Sequence, residues 1–396
     1  MPKHPGAMGE KMPLTVRSTA WGRRRRRFYC RCMGSWLGDF VTEQELKSEN
    51  KNRNSGLDAI RGLAILMVLI SHSVIYYGHS FKMNEVALNF GYSGVLIFFV
   101  LSGFLITLTM IKEEKKFGSI SLYDFYWRRA LRLFPALWLY LAVIFLLIKF
   151  GWIKENPWHS LISSLFYIRN IVGRGHETDH LWSLSIEEQF YFVWPIVFIC
   201  TSGSRHIRLS ITVVLILLIS GWRIFAGSYS LVDPGKLYIR SDFRFDSPLV
   251  GCLLAQVVMG KFKWGPGNLR HRRTLVSFSM ILFFILFLII VIPSQWIVGG
   301  LFSMLMLILS ACLVFLAFQA KDAFSGFFFK PFVFLGLVSY GVYLWQQLFL
   351  GPEEGLIGMI RNPAIGVFCS LICAIISFTL IEKKFLSLKE NFNRKD

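Results

Sequence analysis

From Gly56 to Ser73 the chain reads GLDAIRGLAILMVLISHS, an aliphatic run interrupted only at Asp58, Arg61 and His72 among strongly polar types. Apolar runs of about 20 residues, the length an α-helix needs to cross the hydrocarbon of a bilayer, recur to the end of the chain. Ten are expected to span, at 57–77, 90–111, 131–150, 184–201, 209–227, 243–260, 275–293, 296–317, 333–350 and 363–381. The fourth carries Glu187 and Glu188, and the ninth starts beside Pro331. Short polar loops separate the runs, with no repeat and no second folded domain. The pattern predicts an all-α polytopic membrane protein. Residues 1–54 are expected to form a basic, disordered cytosolic tail, 55–385 the membrane domain and 386–396 a cytosolic C-terminal tail.

Composition agrees. The 396 residues are 54% hydrophobic and 17% charged, against roughly a quarter charged in soluble domains. The net charge of +19 would suggest nucleic acid in a soluble chain, but here Lys and Arg concentrate in alternate loops. That is the distribution expected of cytoplasmic loops facing anionic lipid, and it puts both termini in the cytoplasm. No nucleic-acid module interrupts the spans. The seven cysteines form no disulfide framework. The run GRRRRRFYCRC is followed by no long apolar stretch, so no cleavable signal is expected.

Polar residues inside apolar spans point to chemistry. Arg61 and His72 are eleven positions apart, which returns them to one helix face within about 20° and separates them by about 16 Å. They line one cavity, or Arg61 snorkels to headgroups and His72 bonds a neighbouring helix. Glu187 and Glu188, in HLWSLSIEEQFYFVWP, suit acid–base work or the orienting of a histidine; equally, they suit a positive helix N-terminus. Arg129 and Arg132, in YWRRALRLFPALW, share a face one turn apart. Two guanidinium forks there can hold phosphates or simply anchor the cytosolic boundary. Arg244 and Asp246, in RSDFRFDSPLVGCLLAQ, read as a structural ion pair or packing residues at the outer mouth of the sixth span. Glu382 reads as an interfacial acid beside Lys383 and Lys384. No P-loop, nucleophile elbow, zinc-protease or dinucleotide motif is present, and no metal site is expected.

Six motifs in order, LDAIRGLAILMVLISHS, GYSGVLIFFVLSGFLI, RRALRLFPALW, LWSLSIEEQFYFVWP, FRFDSPLVGCLLA and LGLVSYGVYLWQ, closely resemble the acyltransferase-3 family of membrane acyltransferases over residues 55–385. The resemblance implies transfer of an acyl group, typically acetyl, from cytosolic acyl-CoA to a hydroxyl of an envelope glycan or lipid-linked sugar. It implies a multi-pass protein of the inner or plasma membrane, partners in polysaccharide biosynthesis, and no bound cofactor beyond the acyl-CoA substrate. Matched residue by residue, Arg61 and His72 are the family's Arg–His pair, and Arg129 and Arg132 its donor-facing arginine pair. Glu187 and Glu188 are its acidic pair, and Ser102 and Gly103 belong to its Ser-Gly-Phe element. Ser102, Arg244 and Asp246 are expected to support the acceptor or the structure. Where relatives often carry His after Tyr-Leu-Trp, this chain has Gln346 and Gln347. The expected mechanism gives Arg61, Arg129 and Arg132 to the donor. His72 is general base or acyl carrier, and Glu187 or Glu188 orients it or polarises the acceptor. A transporter for a polysaccharide intermediate or small acid is the other reading.

Overall fold

Leu57, Ile60, Ala64, Ile65, Met67 and Val68, drawn from successive turns of the first apolar run, are all buried. They fall on one broad face of the helix, and that face packs into the bundle. The computed structural model describes residues 54–77, 81–153, 158–172, 175–260, 301–320, 326–351 and 362–389, with isolated positions between them. The expected basic tail, the loop 352–361 and most of the seventh expected span, 275–293, lie outside the described residues.

Among the described residues every element is helical. In chain order they are α1 (Ser55–Tyr77), α2 (Phe81–Phe117), α3 (Leu122–Lys149), α4 (Trp158–Leu165), α5 (Leu181–Cys200), α6 (Arg205–Ser228), α7 (Pro234–Ile239) and α8 (Ser241–Arg244). They continue with α9 (Asp246–Val258), α10 (Leu301–Gln319), α11 (Lys330–Phe349), α12 (Pro363–Ser377) and α13 (Lys383–Lys389), the last two joined by a π-turn over Phe378–Glu382. Six helical segments among these are long and apolar enough to cross a membrane by length and composition. They correspond to the first, second, third, fifth, ninth and tenth expected spans. The fourth, sixth and eighth expected positions are helical as well, but shorter or more polar.

α1 is the axis of the packing, flanked by α2 and α11 and touched by α10; α2 packs in turn on α9, and α11 on α12. The α1–α11 approach is close enough that a Cβ on Gly62 would sit 1.9 Å from the Phe332 carbonyl oxygen. Gly103, in the Ser-Gly-Phe element, does the same for α2 against α9, where a Cβ would lie 1.9 Å from the Pro248 oxygen. Phe192, Leu217, Leu218 and Phe368 are exposed, as lipid-facing positions of a membrane bundle are.

Element ends differ from the apolar runs for physical reasons. α3 begins at Leu122 because Ser121 caps it, its side chain accepting from the Asp124 N–H. α2 continues through the polar KEEKK stretch because its acids are paired. Arg128 of α3 meets Glu113 at 2.7 Å, and Arg208 of α6 donates both its terminal nitrogens to Glu114. The sixth expected span breaks into α8 and α9 at Phe245, with Pro248 in the first turn of α9, where its missing N–H costs least.

Candidate functional site

Two faces oppose each other in the bundle. On α1, Arg61 and His72 share a face, as their spacing requires. At the start of α5, His180 and Glu187 are seven positions apart, again two turns and one face. His180 interacts electrostatically with His72, and Glu187 with Arg61. The ends match in reverse order, so the two faces run antiparallel.

The Arg61 end is a cluster of charge. Arg61 lies 3.3 Å from Asp58 one turn back. Arg129 stands 3.7 Å from Glu188, its guanidinium 3.4 Å from the centre of the Tyr191 ring. That is cation–π geometry. The Tyr191 hydroxyl reaches Glu187 at 3.4 Å, and Arg132 interacts electrostatically with both glutamates. Three guanidinium groups and two adjacent carboxylates are thus drawn together inside an apolar bundle. Such charges survive there only when paired or when they face a polar path. The neighbouring Arg128 is set apart by its pairing with Glu113, so within TrpArgArg one arginine staples helices while the next enters the cluster. Ser102 donates to the Phe99 carbonyl one turn back and interacts with Tyr191, placing it at the edge of this cluster.

At the other end, His72 Nδ1 lies 2.6 Å from Gln346 Oε1 on α11. Glu188 meets Arg129 and Glu187 meets Tyr191, and a contact to the imidazole comes from α11. His180 is buried between the rings of Tyr140 and Tyr343, with centroids 5.7 and 5.3 Å away. The Tyr343 hydroxyl donates to the His180 carbonyl at 2.7 Å. The loop entering α5 is held by the buried Arg169. Its guanidinium donates to the Thr178 hydroxyl, to the Gly175 and Val172 carbonyls and, at 2.6 Å, to Asp179. That network fixes where His180 enters.

Three site residues were not among those singled out from the sequence: His180, Tyr191 and Tyr167. His180 ends a loop and caps a helix, and only the start of α5 at Leu181 makes its position legible. Tyr167 has φ +53°, a backbone region that bulky residues adopt only under constraint. It stacks on Phe134. Burial, with the Glu188 carboxylate nearby, pushes its phenol well up, so it remains a neutral hydroxyl beside the charge cluster. No sequence signal marks a non-glycine residue at positive φ.

Arg244 and Asp246 do not pair with each other. Asp246 takes Arg223 at 2.5 Å, both side chains fully buried, and accepts from the Ser220 hydroxyl. Arg244 contacts the Tyr92 hydroxyl and donates to the Tyr238 carbonyl, its guanidinium against both rings. Glu382 faces inward rather than towards Lys383 or Lys384. It accepts from the Ser377 hydroxyl at 3.2 Å and interacts with Arg132, because the π-turn rotates it off the lipid boundary. Among the described residues no group of three or more His, Cys, Asp or Glu side chains could hold a metal ion.

Comparison with known proteins adds an independent line. A family model described as an acyltransferase domain matches residues 54–382. A Staphylococcus aureus strain COL protein bearing an O-acetyltransferase name is 32% identical over 363 residues, 83% of this chain and 57% of that protein. The O-acetyltransferase OatA of Staphylococcus aureus strain NCTC 8325 is 30% identical over 315 residues, 74% of this chain and 49% of that protein. The chain thus spans about half the length of the curated relatives it matches. No solved structure matches it.

Proposed function

The chain belongs to the acyltransferase-3 family, and from that premise we propose that it moves an acetyl group from acetyl-CoA to a hydroxyl of an envelope glycan or lipid-linked sugar. The observation that carries the reading is the polar strip on α1 and α5: a cluster of arginines and carboxylates at one end and a histidine held by a neutral amide at the other. Acyl-CoA is a polyanion with a long, thin thioester arm. Arg61, Arg129 and Arg132 present guanidinium forks that suit its phosphates. The arm then extends along the strip towards His72, about 16 Å up the helix.

In the proposed step the acceptor hydroxyl gives its proton to His72 Nε2 as its oxygen attacks the thioester carbonyl. The C–S bond breaks as the new C–O ester bond is kept. The proton passes from the imidazolium to the departing thiolate, so the products are the O-acetyl sugar and free coenzyme A. Glu187 and Glu188 hold Arg129 and Tyr191 in place for the donor. We place the protein in the inner or plasma membrane with about ten spans and both termini in the cytoplasm, the side that supplies acyl-CoA. Partners in polysaccharide synthesis would supply the acceptor.

The relatives' O-acetyltransferase names support the chemistry, and the charge distribution supports the orientation. The test is reconstitution of the full chain in proteoliposomes with radiolabelled acetyl-CoA and crude envelope glycan. Label covalently on glycan is the expected result. Label that crosses the membrane on an unmodified small molecule, with none on glycan, would establish a carrier instead.

A further inference from the structure

The contact between His72 and Gln346 has a direction. The Gln346 atom that meets the imidazole, 2.6 Å from Nδ1, is the amide oxygen Oε1. An amide oxygen only accepts; with the amide oriented this way Nδ1 is the protonated ring nitrogen and Nε2 carries the lone pair. Which nitrogen of a histidine acts as base is set by the bond that its other nitrogen makes. We propose that Gln346 is a positioning residue that fixes His72 in the Nδ1–H tautomer and so presents Nε2 to the acceptor hydroxyl. It is the counterpart, in a neutral amide, of the carboxylate that orients a catalytic histidine elsewhere. The inference rests on the reading of His72 as the transferring base.

The fold is built to hold this contact. α1 and α11 approach backbone to backbone near Gly62 and Phe332, and His72 and Gln346 meet later along both helices, so the two run parallel and carry the pair in register. Gln346 is fully buried, where water does not compete for its oxygen. A neutral partner also suits the place. The other imidazole facing His72, His180, is already buried among Tyr140 and Tyr343, and the two carboxylates of the site are engaged by Arg129 and Tyr191. The residues after Tyr-Leu-Trp, set aside in the sequence as a departure from the common pattern, thereby acquire a role.

Three variants of the full chain separate the possibilities in the acetyl-transfer assay: Gln346→Met, Gln346→Glu and His72→Ala. Met fills the volume but accepts no useful hydrogen bond; Glu keeps an acceptor and loses the amide donor. The expected result is kcat down about a hundredfold or more in Gln346→Met, the scale of a wrongly set tautomer. The apparent KM for acetyl-CoA should stay unchanged, and Gln346→Glu should act within about tenfold of wild type. Gln346→Met at wild-type rate, or Gln346→Glu as inactive as Gln346→Met, overturns the assignment. Retained activity in His72→Ala would instead remove the reading on which it rests. Nitrogen-15 spectra of histidine-labelled wild-type protein in bilayers, with the His72 signals identified by their loss in His72→Ala, need no Gln346 variant to fold. A protonated Nδ1 and a bare Nε2 are expected, and the reverse tautomer overturns the proposal.

Discussion

Arg128 and Arg129 are neighbours with opposite duties. Arg128 closes a pair with Glu113 between α3 and α2, whereas Arg129 faces Glu188 and the Tyr191 ring inside the bundle. Replacing Arg128 by Ala should lower thermal stability by about 1 kcal/mol, the scale of a partly exposed pair, and leave the apparent KM for the acyl donor unchanged. Replacing Arg129 by Ala should raise that KM by about tenfold or more through loss of a charged contact. Steady-state kinetics beside a thermal melt in detergent reads both; equal KM values in the two variants would contradict the division. The Arg223–Asp246 pair is the third arrangement, with both side chains fully buried. Asp246→Ala strands a buried guanidinium and should cost about 3–5 kcal/mol, seen as lost folded protein. Activity per folded molecule should be little changed.

At the scale of elements, the helices are held by close backbone approach as much as by side-chain packing. Membrane helices lack the water-driven force between them and use small residues for this purpose. Gly62→Val would push a side chain into the Phe332 carbonyl and force α1 from α11, with a cost of about 1–3 kcal/mol or more. Because the same pair of helices carries His72 and Gln346, activity should fall further than stability alone explains. A Gly62→Val protein with the wild-type melting point and rate would show that the approach is not needed. The same elements show what the sequence made legible. The apolar runs located α1, α2, α3, α5, α6, α11 and α12, because a lipid-crossing helix is marked by composition alone. They missed the first nine residues of α2 and of α3 and the break at Phe245, since caps, ion pairs and an early proline act over single turns and leave hydropathy unchanged. The start of α5 three residues early was missed for the same reason, and with it His180.

For the whole molecule, the polar residues in apolar runs were legible as a set, but their partners were not. Arg61 and His72 could be placed on one face by arithmetic. That Glu187 and His180 interact with them depends on where α5 is placed relative to α1, which no spacing within one helix encodes. The same holds for Gln346, 274 positions from His72, and for Glu188, which the sequence offered to His72 and the fold gives to Arg129. Gathered in this way, a cluster of arginines and carboxylates and a histidine lie at the two ends of one polar strip, and the proposed activity needs both in one molecule. The most direct measurement is the rate at which His72→Ala transfers radiolabelled acetyl from acetyl-CoA to glycan, compared with wild type at equal amounts of folded protein in the same proteoliposomes. The account predicts that the variant inserts, binds acetyl-CoA with unchanged affinity and transfers at least about a hundredfold more slowly, as loss of a general base requires. Transfer at the wild-type rate would contradict it.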